Sequence, residues 1–409
     1  MEAADGDSQG RPGELAFRRY KRYAAGGAGL IWAEAIAVAS EARANPCQLW
    51  LNQDSKDSYV ELIKSIREEA SKSPLKHEPV VVAQLTHSGR YSKPEGVRQP
   101  LILQRDPYKD AFVLQQKPQK TDKSVLPDDY PIVTDEYLDN LIDSYVQTAK
   151  LAYEAGFDAV DIKSCHGYLI NELLACHTRQ GKYGGSFENR TRFLLTVIDR
   201  IHQQLGADKQ IVTRLNVYDG TPYPFGWGAD KDDYTKPDLT EPKKLVSLLI
   251  DRGIKLINVT IGNPHYNPHF GRPYNKPVAK AYDSPEHPLK GVARLIALAG
   301  EIQKTYPEIA VVGTGYSWLG ALMPLVAASI KQNSLTKIFG IGRMAFAYPD
   351  FANDIILNGK LDYNKVCIAC SACSQIMVDG GKIGCVVRDR DIYGPIYEKA
   401  RAAKKDASR

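Results

Sequence analysis

Seven short apolar runs, rich in β-branched residues, recur along the chain, each followed by a stretch of helical character. They read "GLIWAE" (29–34), "VVVAQL" (80–85), "AVDIK" (159–163), "IVTRL" (211–215), "LINVTI" (256–261), "IAVVGT" (309–314) and "KIFGIG" (337–342). Runs that do not alternate with polar residues suit parallel strands covered on both faces. The clearest helical pattern begins at Thr134, an N-cap residue type, with Asp135 and Glu136 in the first turn. Its apolar stripe is Leu138, Leu141, Ile142, Tyr145, Val146 and Ala149. Before the first strand, the pattern predicts a turn and a helix over about residues 12–25.

The loops then choose between the architectures this alternation allows. Helix-to-strand links such as "EAGFD" and "DRGIK" are short, whereas 86–133, 164–185, 216–240 and 262–288 are long strand-to-helix links. That asymmetry is expected of a TIM (β/α)₈ barrel whose C-terminal face carries the active site. A doubly wound open sheet is the competitor, but no GxGxxG follows an early strand. The expected fold is therefore α/β, a (β/α)₈ barrel over residues 1–360, with a Cys-rich segment at 361–409. Only seven strands are visible and a barrel needs eight to close, so the first strand is read as missing.

Composition narrows the class of function. Hydrophobic content of 43% and charged content of 25% are those of an ordinary globular protein. The net charge of +5 comes from Lys and Arg interleaved with Asp and Glu, which gives no nucleic-acid patch. The basic stretch "EKARAAKKDASR" reads as a frayed, solvated tail. No apolar run spans a membrane and no signal-peptide pattern opens the chain, so a cytoplasmic protein with reduced thiols is expected.

Two places could carry chemistry. Lys163, His166 and Tyr168 lie at the end of the third apolar run and in the loop beyond, three proton-handling groups on the expected catalytic face. The second is "CIACSACSQIMVDGGKIGC", where Cys367, Cys370, Cys373 and Cys385 are spaced C-x₂-C-x₂-C-x₁₁-C. Three closely spaced thiolates with a fourth arriving later suit a [4Fe–4S] cubane. Structural zinc more often takes two separated C-x₂-C pairs, and plain thiols are the remaining reading.

The stretch "AGFDAVDIKSCHGYLINELL…YGGSFENRTRF", with "QLTHSGR" (84–90) and "GIGRMAFAYPDF" (340–351), resembles the old yellow enzyme family of FMN-dependent reductases. The cysteine pattern resembles that family's iron–sulfur branch, which includes trimethylamine dehydrogenase, 2,4-dienoyl-CoA reductase and bile-acid-type enoate reductases. The resemblance implies that His166 binds a substrate carbonyl and that Tyr168 protonates the α-carbon. Lys163 stands where the family has His or Asn, and an ammonium there could stabilise an enolate. Gln84 and Arg214 are implied contacts of the isoalloxazine. Gly315 and Tyr316 in "GTGYSW", with Gly342 and Arg343, are the implied phosphate site. Glu2 falls where a small residue usually approaches the flavin. Arg190, Arg192 and Phe193 fix the following helix, and Cys165 between Lys163 and His166 is read as packing.

The implied activity is reduction of the C=C bond of an enone or enoate by FMN, with a [4Fe–4S] cluster feeding electrons. Their source is either NAD(P)H directly, or an electron-transfer flavoprotein or ferredoxin acting through the cluster. The Pro-, His- and Tyr-rich loop 262–288 is expected to wall the substrate pocket. The alternatives are an amine dehydrogenase, and a non-catalytic truncated barrel or electron-transfer subunit.

Overall fold

The apolar runs do form strands. In the computed structural model, which describes residues 4–110, 126–278, 281–380 and 382–406, they are β1 (Leu30–Ala37), β2 (Val80–Thr86), β3 (Ala159–Ile162), β4 (Gln210–Asn216), β5 (Leu256–Thr260), β6 (Ala310–Gly313) and β7 (Ile338–Phe339). Every pairing is parallel, and the order across the sheet is the order in the sequence. Sequential parallel strands need a crossover between each pair, and a constant hand puts all the crossovers on one face and curls the sheet. Among the described residues β1 and β7 do not pair with each other, so the curl stays open at that seam and no eighth strand fills it. β7 pairs over only two residues, both half-buried.

The helices follow in turn: α1 (Glu14–Ala25), α2 (Lys56–Lys72), α3 (Asp135–Glu154), α4 (Leu169–Leu174), α5 (Phe187–Leu205), α6 (Thr240–Ile250), α7 (Pro268–Gly271), α8 (Pro288–Thr305), α9 (Met323–Gln332), α10 (Arg343–Ala347), α11 (Phe351–Asn358), α12 (Ala372–Val378) and α13 (Arg390–Asp406). α3 begins where its pattern predicts. The Thr134 hydroxyl accepts the Tyr137 N–H at 3.1 Å, and the six apolar stripe residues are all buried. None of the described helices is long and apolar enough to cross a membrane.

Alternation along each strand divides the interior in two. Val81, Ala83 and Leu85 of β2, with Val160, Ile162, Ile211, Leu215, Ile257 and Val259, join the large core beneath the helices. Their neighbours Val82, Ala159 and Val212 meet Leu30, Trp32 and Leu256 in a small separate cluster on the opposite, inner face. That apolar plug closes one end of the curl. The inward positions above it are polar, and they make the site.

The C-terminal segment departs from expectation. The stretch read as a frayed tail is helical as far as Asp406, as part of α13. Tertiary anchoring overrides the polar composition here. Arg18 and Arg22 of α1 both bond the Asp389 carboxylate, at 2.6 and 2.9 Å for Arg18 and 2.5 Å for Arg22, and Tyr393 is buried beside them. Arg19 is buried between Asp5 and Glu34 and also donates to the Ile383 carbonyl, while Asp5 accepts the Ile383 N–H at 3.3 Å. The segment is thus docked on the first helix of the barrel.

Candidate active site

Reading upward from the apolar plug, the inward positions of neighbouring strands carry Gln84, Asp161, Arg214 and Asn258. Gln84 stands opposite Asp161 across β2 and β3, and Arg214 opposite Asn258 across β4 and β5. The Asp161 carboxylate ties the layer together. It accepts Gln84 Nε2 at 2.6 Å, Trp32 Nε1 at 2.8 Å and the Arg214 backbone N–H at 2.7 Å. Burial pushes its carboxyl up to about 6, with those three donors pulling the other way. The carboxylate is therefore mostly ionised at neutral pH.

Beyond the end of β3, the chain turns sharply. His166 and Gly167 both have positive φ, 69° and 72°. A Cβ on Gly167 would collide with the Asn263 side-chain amide, so glycine is required there. The turn swings Tyr168 back over Lys163, whose Nζ lies 3.7 Å from the centre of the phenol ring. His166 Nε2 lies 3.4 Å from Thr260 Oγ1. Burial drives this imidazole well below its ordinary value, and Arg214 and Lys163 act in the same direction, so His166 is neutral at neutral pH. Two aromatic residues complete the wall. Tyr91 stacks on His265 at 3.8 Å and lies 5.9 Å from Tyr168, and Asn263 holds the Tyr91 hydroxyl at 2.9 Å. The structure thus brings Lys163, His166 and Tyr168 together just beyond the end of β3.

A family model described as NADH:flavin oxidoreductase / NADH oxidase matches residues 4–226, more than half of the chain. The chain belongs to this family. Among curated relatives, an NADPH dehydrogenase of Clostridium acetobutylicum is 29% identical over 52% of this chain and 57% of its own length. One of Geobacillus sp. is 30% identical over 59% and 61%, and a putative 12-oxophytodienoate reductase 4 of Oryza sativa is 30% identical over 44% of each. The chain thus spans about half the length of the curated relatives it matches. Among solved structures, the old yellow enzyme homologue of Zymomonas mobilis superposes with a TM-score of 0.61 at 20% identity, over 89% of this chain and 88% of that one. A 2-naphthoyl-CoA reductase complex reaches 0.68 at 19% identity, over 97% of this chain and 54% of that one. These likenesses establish the fold.

Family membership implies FMN, and the buried polar atoms at the open end fit it. Arg214 Nε and Asn258 Oδ1 are buried and have no hydrogen-bond partner. They leave a donor and an acceptor waiting side by side on β4 and β5 for a ligand with both functions. Gly315 adopts φ +96°, and a side chain there would strike Leu295. The Tyr316 side chain is instead buried in a second core with Met323, Ile330 and Met344, which leaves only its backbone for a cofactor. Gly342 faces open space. Arg343 donates to the Pro273 carbonyl at 2.5 Å, its Nη1 is buried without a partner, and its side chain lines the cysteine cavity. Glu2 lies outside the described residues. Arg190 binds the Gly185 and Leu174 carbonyls and Glu241, which is a structural role. Cys165 is fully buried, and burial raises its thiol to about 11, so it stays protonated at neutral pH.

The four clustered cysteines line one pocket together with Arg343 and Arg388. Ala369 and Ser371, between the cysteines, adopt φ of 51° and 60°, a strained conformation for residues with a Cβ. Two backbone N–H groups aim at sulfur: Ala369 at Cys367 Sγ, 3.4 Å, and Arg388 at Cys385 Sγ, 3.3 Å. Burial pushes the Cys367 thiol up to about 11 and raises that of Cys385. Among the described residues no three His, Cys, Asp or Glu side chains stand where they could hold a metal ion, so the four thiols share a cavity without forming a closed coordination sphere.

Sequence reasoning named none of Asp161, Trp32, Tyr91, Asn263 and His265, although Asn263 and His265 lie in the loop 262–288 expected to wall the pocket. Asp161 left a signal, a lone acid inside the apolar run "AVDIK". The other four come from loops or strands far apart in the chain, and only the fold brings them together.

Proposed function

We propose that this chain is an FMN-dependent ene-reductase acting on an α,β-unsaturated carbonyl compound, with a [4Fe–4S] cluster on Cys367, Cys370, Cys373 and Cys385. The observation that carries the reading is the meeting of Lys163, a neutral His166 and Tyr168 above the polar layer. FMN held by Gln84, Arg214 and the Gly315 and Gly342 backbone would supply hydride chemistry, and a cluster on the four cysteines would supply one-electron chemistry. His166, being neutral, offers one ring N–H to the carbonyl oxygen of the substrate. Tyr168 gives its hydroxyl proton to the α-carbon. The Lys163 ammonium on the ring face then favours the phenolate that is left, since an opposite charge at that distance in a buried site stabilises it. Tyr91 and His265 offer a flat wall against which a conjugated substrate can lie, and they exclude water from the transfer.

The cluster assignment is supported by the shared cavity, the two N–H···S contacts and the strained turn, all features that tune or hold clusters. Bare thiols raised by burial stay protonated at neutral pH, so loading the site would release protons. The electron source would be NAD(P)H directly, or an electron-transfer flavoprotein or ferredoxin that meets the cysteine segment. The amine dehydrogenase reading is weaker, because Lys163 already occupies the Tyr168 face that a substrate cation would need.

Anaerobic purification tests both cofactors. The expected outcome is about one FMN and about four irons per chain, with flavin bands over a broad iron–sulfur shoulder. Tyr168→Phe should lower enone reduction by roughly 10²- to 10⁴-fold, the usual contribution of a proton donor, and leave reduction of bound FMN unchanged. A chain that takes up no FMN, or a Tyr168→Phe variant of normal turnover, would sink the reading.

A further inference from the structure

A glutamine amide can face either way, and at Gln84 the direction is decided by its neighbour. Asp161 accepts three hydrogen bonds. Two come from groups that can only donate, the Trp32 indole N–H to Oδ2 and the Arg214 backbone N–H to Oδ1. Donors on both oxygens favour the ionised carboxylate, which is an acceptor only. It can meet Gln84 only as an acceptor, and therefore takes the Nε2 end of the amide, at 2.6 Å. That leaves Oε1, an acceptor, as the atom Gln84 has to offer a ligand.

We propose that Asp161 is a positioning residue that locks Gln84 with its carbonyl oxygen toward the ligand, so that the layer selects a ring edge bearing an N–H beside a carbonyl oxygen. The inference rests on the FMN reading and deepens it. The pyrimidine edge of isoalloxazine has this pattern, with N3–H between two carbonyls. Arg214 Nε is the complementary donor, buried and without a partner on the same sheet. Gln84 alone would be indifferent, since the reversed amide would offer two N–H groups to a ligand that already donates. The carboxylate beneath it removes that freedom before any ligand arrives, so no rotamer has to be chosen on binding. Asp161 touches no ligand in this scheme; it acts through the amide.

A double-mutant cycle on FMN affinity, read by quenching of flavin fluorescence in the apoprotein, separates this role from general support of the fold. Asp161→Asn should weaken FMN about tenfold when Gln84 is present and less than twofold in a Gln84→Leu chain. Equal losses in both backgrounds overturn the proposal and leave the FMN reading intact, whereas an unaltered chain that binds no FMN overturns both. Should Asp161→Asn fail to fold, FMN labelled with ¹⁵N at position 3 answers the same question in the unaltered protein. The N3–H proton resonance should move downfield from that of an N3–H facing no acceptor. A resonance that stays put overturns the proposal.

Discussion

The two halves of the curled sheet are built on different terms. From β1 to β4 the strands span four to eight residues, and Asp161 ties the Trp32 and Gln84 side chains to the Arg214 backbone N–H. β6 has four residues and β7 only two, and there the surroundings do the holding. Arg343 leans on Pro273, Met344 Sδ accepts the Cys367 N–H at 3.3 Å, and α1 grips Asp389. The proposed chemistry, which needs side chains held tightly, sits on the first half. The cysteine cavity sits on the second, where the chain is arranged by partners distant in sequence.

The sharpest way to break this contrast is to disable one half and look at the other. Cys373→Ser should abolish the iron–sulfur signal in electron paramagnetic resonance while FMN content stays near that of the unaltered protein. Simultaneous loss of FMN would mean that the halves are one unit. A second test uses pH. Asp161 is raised to about 6 by burial, against the combined pull of Gln84, the Arg214 N–H, Trp32 and the Arg214 charge, with Tyr145 and Cys165 the other titratable groups whose ionisation it influences. A carboxyl raised on folding holds its proton better in the folded state. Its stabilising contribution is complete below the unfolded value of about 4, and is lost as pH rises through about 6. Denaturant melts should show a loss on the order of 2 kcal/mol over that window, and Asp161→Asn should flatten it. The smallest effect belongs to the weak half. Asp389→Ala strands Arg18 and Arg22 together, at a cost of about 1–2 kcal/mol given their partial exposure. Hydrogen exchange should quicken over 383–400 and stay unchanged in β2 to β4, and uniform quickening would erase the distinction between the halves.

The same contrast governs how much could be read from sequence. Strands β1 to β5 announced themselves, because a strand covered on both faces must be an unbroken apolar run, and the α3 cap and stripe were equally plain. The short, half-buried β7 was read as "KIFGIG" and pairs only at Ile338 and Phe339. Lys163, His166 and Tyr168 were legible because one turn carries all three. Tyr91 and His265 were not, since their stacking joins two loops some 170 residues apart. Composition misled at α13, where basic residues suggested a solvated tail and two arginines of α1 hold a helix.

One small contact reaches further than its size. Asn275, in the loop that follows β5, bonds the Ile368 carbonyl through its side chain at 3.2 Å and the Ala369 carbonyl through its backbone N–H at 3.0 Å. The same loop carries His265 into the pocket wall. On the proposed function, substrate lodging and cysteine loading would share this strut, and thermodynamic reciprocity would make any coupling it transmits equal in both directions. An occupant that tightens the wall would steady the thiol turn by the same free energy with which a filled thiol turn tightens the wall.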